Sequence, residues 1–161
     1  MNIIFLDIDG VMNMYGASSR TFMKDYGQHI EPHLVNRLNY ICENVKDLKI
    51  VISSAWRSDM EDLQKQLEEQ GFKYWQLIIG KTIHPIKLAY NGLGYQFRGE
   101  QIKYWLGRNE VTKYLVIDDE ISDICGEKCN VIPEENVYQT DGNEGMLHKD
   151  AMNIINYFKA Y

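Results

Sequence analysis

Short, wholly apolar runs separated by stretches of helical periodicity constrain this chain more than any other feature. Ile3-Ile4-Phe5-Leu6, Ile50-Val51-Ile52 and Tyr114-Leu115-Val116-Ile117 are too short for helices and lack the alternation of a half-exposed strand. They suit strands covered on both faces, the situation in a parallel sheet. Between the first two, Leu34, Val35, Leu38, Ile41, Cys42 and Val45 recur at helical spacing behind Pro32. Ser58 and Glu61 read as a capping box for a helix presenting Met60, Leu63 and Leu67 and ending near Gly71. "YWQLII" reads as a third strand and "NVYQT" as a fifth. Ile102, Trp105 and Leu106 mark a helix that stops at Gly107, and Ala151, Ile154, Ile155 and Phe158 mark a closing amphipathic one. Alternating β and α elements predict an α/β fold, a parallel central sheet with helices on both faces. With 161 residues and no linker or repeat, residues 1–161 are expected to form a single domain.

The same strands share a second property: each ends in polar residues. Leu6 is followed by Asp7-Ile8-Asp9-Gly10, Ile52 by Ser53-Ser54, and Ile117 by Asp118-Asp119. In an open parallel sheet, ligands bind outside the carboxyl ends of the strands. If these three strands are neighbours, four carboxylates and a hydroxyl converge on one small volume. Such carboxylates either take up protons or hold a hard cation through oxygen, and magnesium is the natural candidate. A carboxylate beside a metal suggests phosphoryl chemistry, with Asp7 as nucleophile and Asp9 as the proton donor and acceptor. Ser53 would donate a hydrogen bond to the transferred group. Arg98 or Arg57, each near a helix N-terminus, would supply the opposing positive charge.

Taken in order, "FLDIDGV", "IVISSAWR", "RGEQI" and "YLVIDDE" resemble the four motifs of the haloacid dehalogenase-like (HAD) phosphohydrolases. The phrasing is closest to the small HAD domains of nucleic-acid repair proteins and the phosphatase half of polynucleotide kinase-phosphatases. The resemblance implies a Rossmann-like HAD fold, with Asp7, Asp9, Ser53 and Arg98 catalytic and Gly10, Ser54 and Arg57 toward the substrate. It also implies magnesium held by Asp7, Asp118, Asp119 and the backbone carbonyl of Asp9. The third motif departs from the pattern, because its usual lysine is replaced by Arg98; Lys81, Lys87 and Lys103 are the lysines nearest to it in sequence. The intervals after the first motif and between the second and third are too short for a substantial cap domain. An open site suits a phosphate at the end of a polymer, so the expected activity is a magnesium-dependent phosphomonoesterase working through an aspartyl-phosphate on polynucleotide 3′ ends. A nucleotide 5′(3′)-phosphatase, another small-molecule or phosphoprotein phosphatase, and a non-catalytic magnesium- or phosphate-binding module are the alternatives. Receiver domains and Toprim-type nucleases place their acidic pairs in the reverse order.

The remaining residues narrow the setting. A net charge of −6 gives no broad nucleic-acid footprint, although it leaves room for a local basic cleft. Cys42, Cys125 and Cys129 read as free thiols of a reducing compartment. Cys125 and Cys129 are spaced to meet on one helix face, but they lack the further ligands of a zinc site. No leader pattern or membrane-length apolar run is visible, so a cytoplasmic protein with no membrane contact is expected. A separate repair kinase or ligase is a possible partner, since the chain has no phosphate-binding loop of its own. Trp56 reads as packing at the core or its rim, Arg20 and Lys24 as solvated loop charges, with reach to substrate as the alternative, and Glu120 and Asp123 as a helix start.

Overall fold

The computed structural model describes residues 1–15, 29–85 and 96–160. Among these residues five strands, β1 (Asn2–Leu6), β2 (Leu48–Ile52), β3 (Ile78–Lys81), β4 (Lys113–Asp118) and β5 (Val137–Gln139), form one sheet. Its order is β3-β2-β1-β4-β5, and every pairing is parallel. Among the described residues four helices accompany it: α1 (Pro32–Asn44), α2 (Met60–Glu69), α3 (Arg98–Leu106) and α4 (His148–Lys159).

The alternation of side chains along β1 divides the core in two. Ile4 and Leu6 face one layer with Leu34 and Leu38 of α1, Leu63 of α2 and Ile154 of α4. Ile3 and Phe5 face the other with Ile102 of α3, Ile124 and Ile132, where Trp105 meets Phe5 edge-on at 5.4 Å between ring centres. Each fully buried aliphatic contributes about 1.5–3 kcal/mol. The central strands therefore have little freedom to slide, and their ends are fixed.

Those ends coincide. Leu6 lies opposite Ile52 on one side and Ile117 on the other. The ladder runs one residue further, with Ser53 N donating to Leu6 O at 2.9 Å and Asp7 N to Ile117 O at 3.0 Å. Chain order reverses across the β1–β4 pair, the switch point where open sheets leave a crevice. Asp7 and Asp118 stand on either side of it. Among the described residues the intervals that follow β1 and β3 hold no extra domain, and no helix is long and apolar enough to cross a membrane.

Three sequence expectations need correction. Asp59, not Ser58, caps α2: its carboxylate accepts from Asp62 N at 3.0 Å, because Ser58 is taken up in a 3₁₀ turn, Ala55–Ser58. The third strand begins only at Ile78, since Trp75–Leu77 forms a 3₁₀ turn and the β2–β3 register shifts between Ile50 and Val51. Glu120 and Asp123 start no helix. Their segment turns tightly instead, with Gly126 N bonded to Cys129 O at 3.0 Å, so Cys125 and Cys129 share no helix face. All three cysteines are unpaired, as expected.

Candidate active site

The crevice beyond β1 and β4 is a cleft of about 200 Å³ bordered by Asp7, Asp9, Arg98, Asp118 and Asp119, with Tyr15 and Ala55 at its rim. Asp7 and Asp118 are buried. Between them stands Arg98, whose Nη1 contacts Asp7 Oδ1 at 3.0 Å and Asp118 Oδ2 at 2.6 Å. Local sequence explains how the arginine arrives there. Glu100 accepts from the backbone of Gln96 and Phe97, which starts α3 at Arg98. Gly99 then lets the helix end abut the β4–β5 connection, where a Cβ would lie 2.9 Å from Ile124 O.

Carboxylate oxygens of Asp7, Asp118 and Asp119 lie within 4.8 Å of one another. Burial pushes the Asp118 carboxyl well up, the neighbouring charge of Asp7 pushes it further, and Arg98 opposes both. Burial also raises Asp7, against the pull of Arg98, the Ile8 amide and a hydrogen bond from the Ser54 hydroxyl. Asp119 is pushed up to about 6 by burial and then by Asp7. Burial alone would weaken the hold of Arg98 on its proton, but Asp118 and Asp7 reverse that and keep it charged. Of the three carboxylates, Arg98 pairs with two, and among the described residues Asp119 makes no ion pair. This all-oxygen donor set carries unneutralised negative charge and fits a hard divalent cation such as magnesium.

Asp9 is held differently. Its Oδ1 accepts from Trp56 Nε1 at 2.9 Å and from Asn13 Nδ2 at 2.8 Å. The other end of Asn13 accepts from Gly10 N at 2.9 Å, so one amide fixes both the carboxylate and the turn after it. Gly10 is required here. It sits at φ +75°, and a Cβ would fall 2.4 Å from Asp119 Cγ. Thr140, just past β5, donates to Gly10 O at 2.9 Å, and Gly142 leaves space for the other side of the Asp119 carboxylate.

The structure thus brings together Asp7, Asp9, Gly10, Arg98, Asp118 and Asp119. Of the two serines, it is Ser54 that bonds Asp7, while the hydroxyl of the fully buried Ser53 has no partner. Arg57 is buried beside the cleft, its Nη1 donating to Ser54 O at 3.0 Å. Lys81 donates to Arg57 O, and the exposed Lys103 borders a different groove, so neither lysine lines the Asp7 cleft. Arg20, Lys24 and Lys87 lie outside the described residues. Sequence reasoning missed Asn13 and Thr140 and gave Trp56 only a packing role. The Asp-Gly-x-x-Asn spacing was the one available signal for Asn13, since such side chains commonly bond nearby backbone.

A family model described as "HAD domain in Swiss Army Knife RNA repair proteins" matches residues 3–151. The chain belongs to this HAD family. The match takes in every element of the sheet and the whole cleft. Neither the curated proteins nor the solved structures contain a match to the chain.

Proposed function

We propose that this HAD domain is a magnesium-dependent phosphomonoesterase that removes the 3′-terminal phosphate of an RNA strand through an aspartyl-phosphate on Asp7. The observation that carries the proposal is the pairing of two differently held carboxylates. Asp7 is buried against Arg98 within the acidic triad, and Asp9 stands two residues away on donors of its own. The family description supplies RNA repair as the setting, and the short intervals between motifs leave the cleft accessible to a strand end.

In the first step an Asp7 oxygen bonds to phosphorus as the bond to the ester oxygen breaks, and Asp9 passes a proton to the departing oxygen. Asp9 then takes a proton from water, the resulting hydroxide attacks phosphorus, and the bond to Asp7 breaks to release phosphate. Arg98 offers its positive charge to the equatorial oxygens as their charge spreads. A serine hydroxyl from the Ser53-Ser54 pair completes the phosphate side. Magnesium held by Asp7, Asp118, Asp119 and the Asp9 carbonyl would screen the carboxylates from the incoming phosphate. The domain would act in the cytoplasm, alongside a ligase that joins the 3′-hydroxyl it leaves or a kinase that phosphorylates the opposing 5′ end.

A substrate panel tests this reading: RNA and DNA oligonucleotides with 3′- or 5′-phosphate, mononucleotides, phosphopeptides and an aryl phosphate. The 3′-phosphorylated RNA should be turned over with the highest kcat/KM. A wide preference for mononucleotides would defeat the open-site argument, and no turnover of any substrate would favour a binding module.

Removal of metal gives a further expected result. Raised carboxyl pKa values mean that the cation-free folded chain binds more protons than the unfolded chain between about pH 4 and about 6. The stability this contributes is complete below that window and is lost as pH rises through it. A bound divalent cation relieves the repulsion left at higher pH. Magnesium should therefore raise Tm clearly at pH 7.5 and little at pH 4.5, measured against EDTA. Equal shifts at both values would detach the acidic triad from metal binding.

A further inference from the structure

Beside the acidic cleft runs a larger groove of about 540 Å³, within the roughly 300–1,000 Å³ of small-ligand sites. It lies between the 3₁₀ turn after β2, the end of β3 and the C-terminal end of α3. Among the described residues Arg57, Lys81 and Arg108 line it and no carboxylate does, in a chain whose net charge is −6. The two sites adjoin: Ala55 borders the cleft and Arg57 the groove from the same Ala55–Ser58 turn.

Arg57 is the most telling residue. It is only 6% exposed, its Nε has no hydrogen-bond partner, and it makes no ion pair among the described residues. Burial lowers its pKa to about 10, with Arg98 acting the same way and Asp7 opposing, so it stays charged at neutral pH. A buried guanidinium without a counter-ion is costly, and an anion entering the groove would relieve the cost. The far end of the groove has another character. The Arg108 guanidinium lies 3.5 Å from the centre of the Tyr104 ring, and Trp105 beside it is anchored on Phe5. Flat cationic and aromatic surfaces next to a basic track are the means by which proteins hold single strands.

We propose that this groove holds the strand that leads to the phosphorylated end, a phosphodiester against Arg57 and Lys81 and a base against the Tyr104–Arg108 stack. The proposal rests on the RNA reading above and adds the place where the strand runs. It accounts for how an acidic protein receives a polyanion: the attraction is confined to one groove that starts at the cleft.

The test is direct binding, followed by fluorescence anisotropy, of a labelled six-nucleotide single-stranded RNA ending in a 3′-hydroxyl. That RNA offers no phosphomonoester at its 3′ end, so the readout stands whether or not the chain is a phosphatase. Arg108→Glu and Ser58→Glu alter exposed rim positions of the groove, and thermal melts establish that both variants fold. Each should weaken binding at least about tenfold, Arg108→Glu by removing the stacking surface and both by placing a carboxylate beside the incoming phosphodiester. Wild-type affinity in either variant, undetectable binding by the unaltered chain, or equal displacement of the RNA by a phosphoserine peptide of matched charge would overturn the groove assignment. RNA binding lost in both variants, with no phosphomonoester hydrolysed by the unaltered chain, would sink the phosphatase reading and leave the groove standing.

Discussion

Asp7→Asn is expected to lower turnover of every phosphomonoester by at least about a thousandfold, with the fold intact. The amide preserves the shape of the carboxylate but is a far weaker nucleophile, so the first bond to phosphorus is not made. A structural role for Asp7 predicts the opposite balance, a damaged fold with proportionate loss of activity. The surroundings of Asp7 argue against that. Its carboxylate repels Asp118 and Asp119, and burial already works against its charge. Removing one of three neighbouring negative charges leaves Arg98 paired with Asp118 at 2.6 Å and lightens the repulsion. In EDTA the variant should melt at or above the Tm of the unaltered chain while its activity falls to background. Unchanged hydrolysis of an aryl phosphate in magnesium would remove Asp7 from the chemistry.

What the sequence disclosed about this site follows from which forces are local. The apolar runs of β1 and β4 and the polar residues closing them lie next to one another in the chain, and parallel pairing aligns their ends wherever both strands are buried. Asp7, Asp9, Asp118 and Asp119 were legible for that reason. So was α3, whose bounds from Arg98 to Leu106 are set by Glu100 at one end and Gly107 at the other. The donors on Asp9 were not legible. Trp56 lies 47 residues from it in sequence, and nothing in "SSAWR" distinguishes an indole that packs from one that donates a hydrogen bond. The two serines divide on an equally fine point. Ser53 continues the ladder from Leu6 and loses its hydroxyl to the interior, whereas Ser54 starts the 3₁₀ turn and reaches Asp7. The groove beside the cleft was out of reach altogether. Arg57 in the 3₁₀ turn, Lys81 in β3 and Arg108 just past α3 lie far apart in the chain, and only the sheet order brings them together.

Arg98→Ala should lower activity by about 10²–10³ and also lower Tm in EDTA. Two different effects combine here. In the proposed reaction the guanidinium, 3.0 Å from Asp7, opposes the charge spreading over the transferred phosphoryl group, so its loss would leave that charge unopposed on that side. In the resting protein, removing one partner of a largely buried ion pair costs up to about 3–5 kcal/mol. Arg98 is 22% exposed, and Asp118 can take up a proton once the arginine is gone, so the measured cost should fall below that figure. Lysine at this position separates the two effects. Both contacts, to Asp7 and to Asp118, are made by the single nitrogen Nη1, so a point charge placed there meets the same requirement. This explains how an arginine stands where the resemblance to HAD phosphohydrolases leads one to expect lysine. Arg98→Lys should accordingly recover most of the activity lost in Arg98→Ala, and most of the Tm. Lys81→Ala and Lys103→Ala, by contrast, should leave hydrolysis of an aryl phosphate within a few-fold of normal, since neither lysine borders the Asp7 cleft. If Arg98→Ala retained full activity while either lysine variant lost it, the cation of the third motif would have to be reassigned.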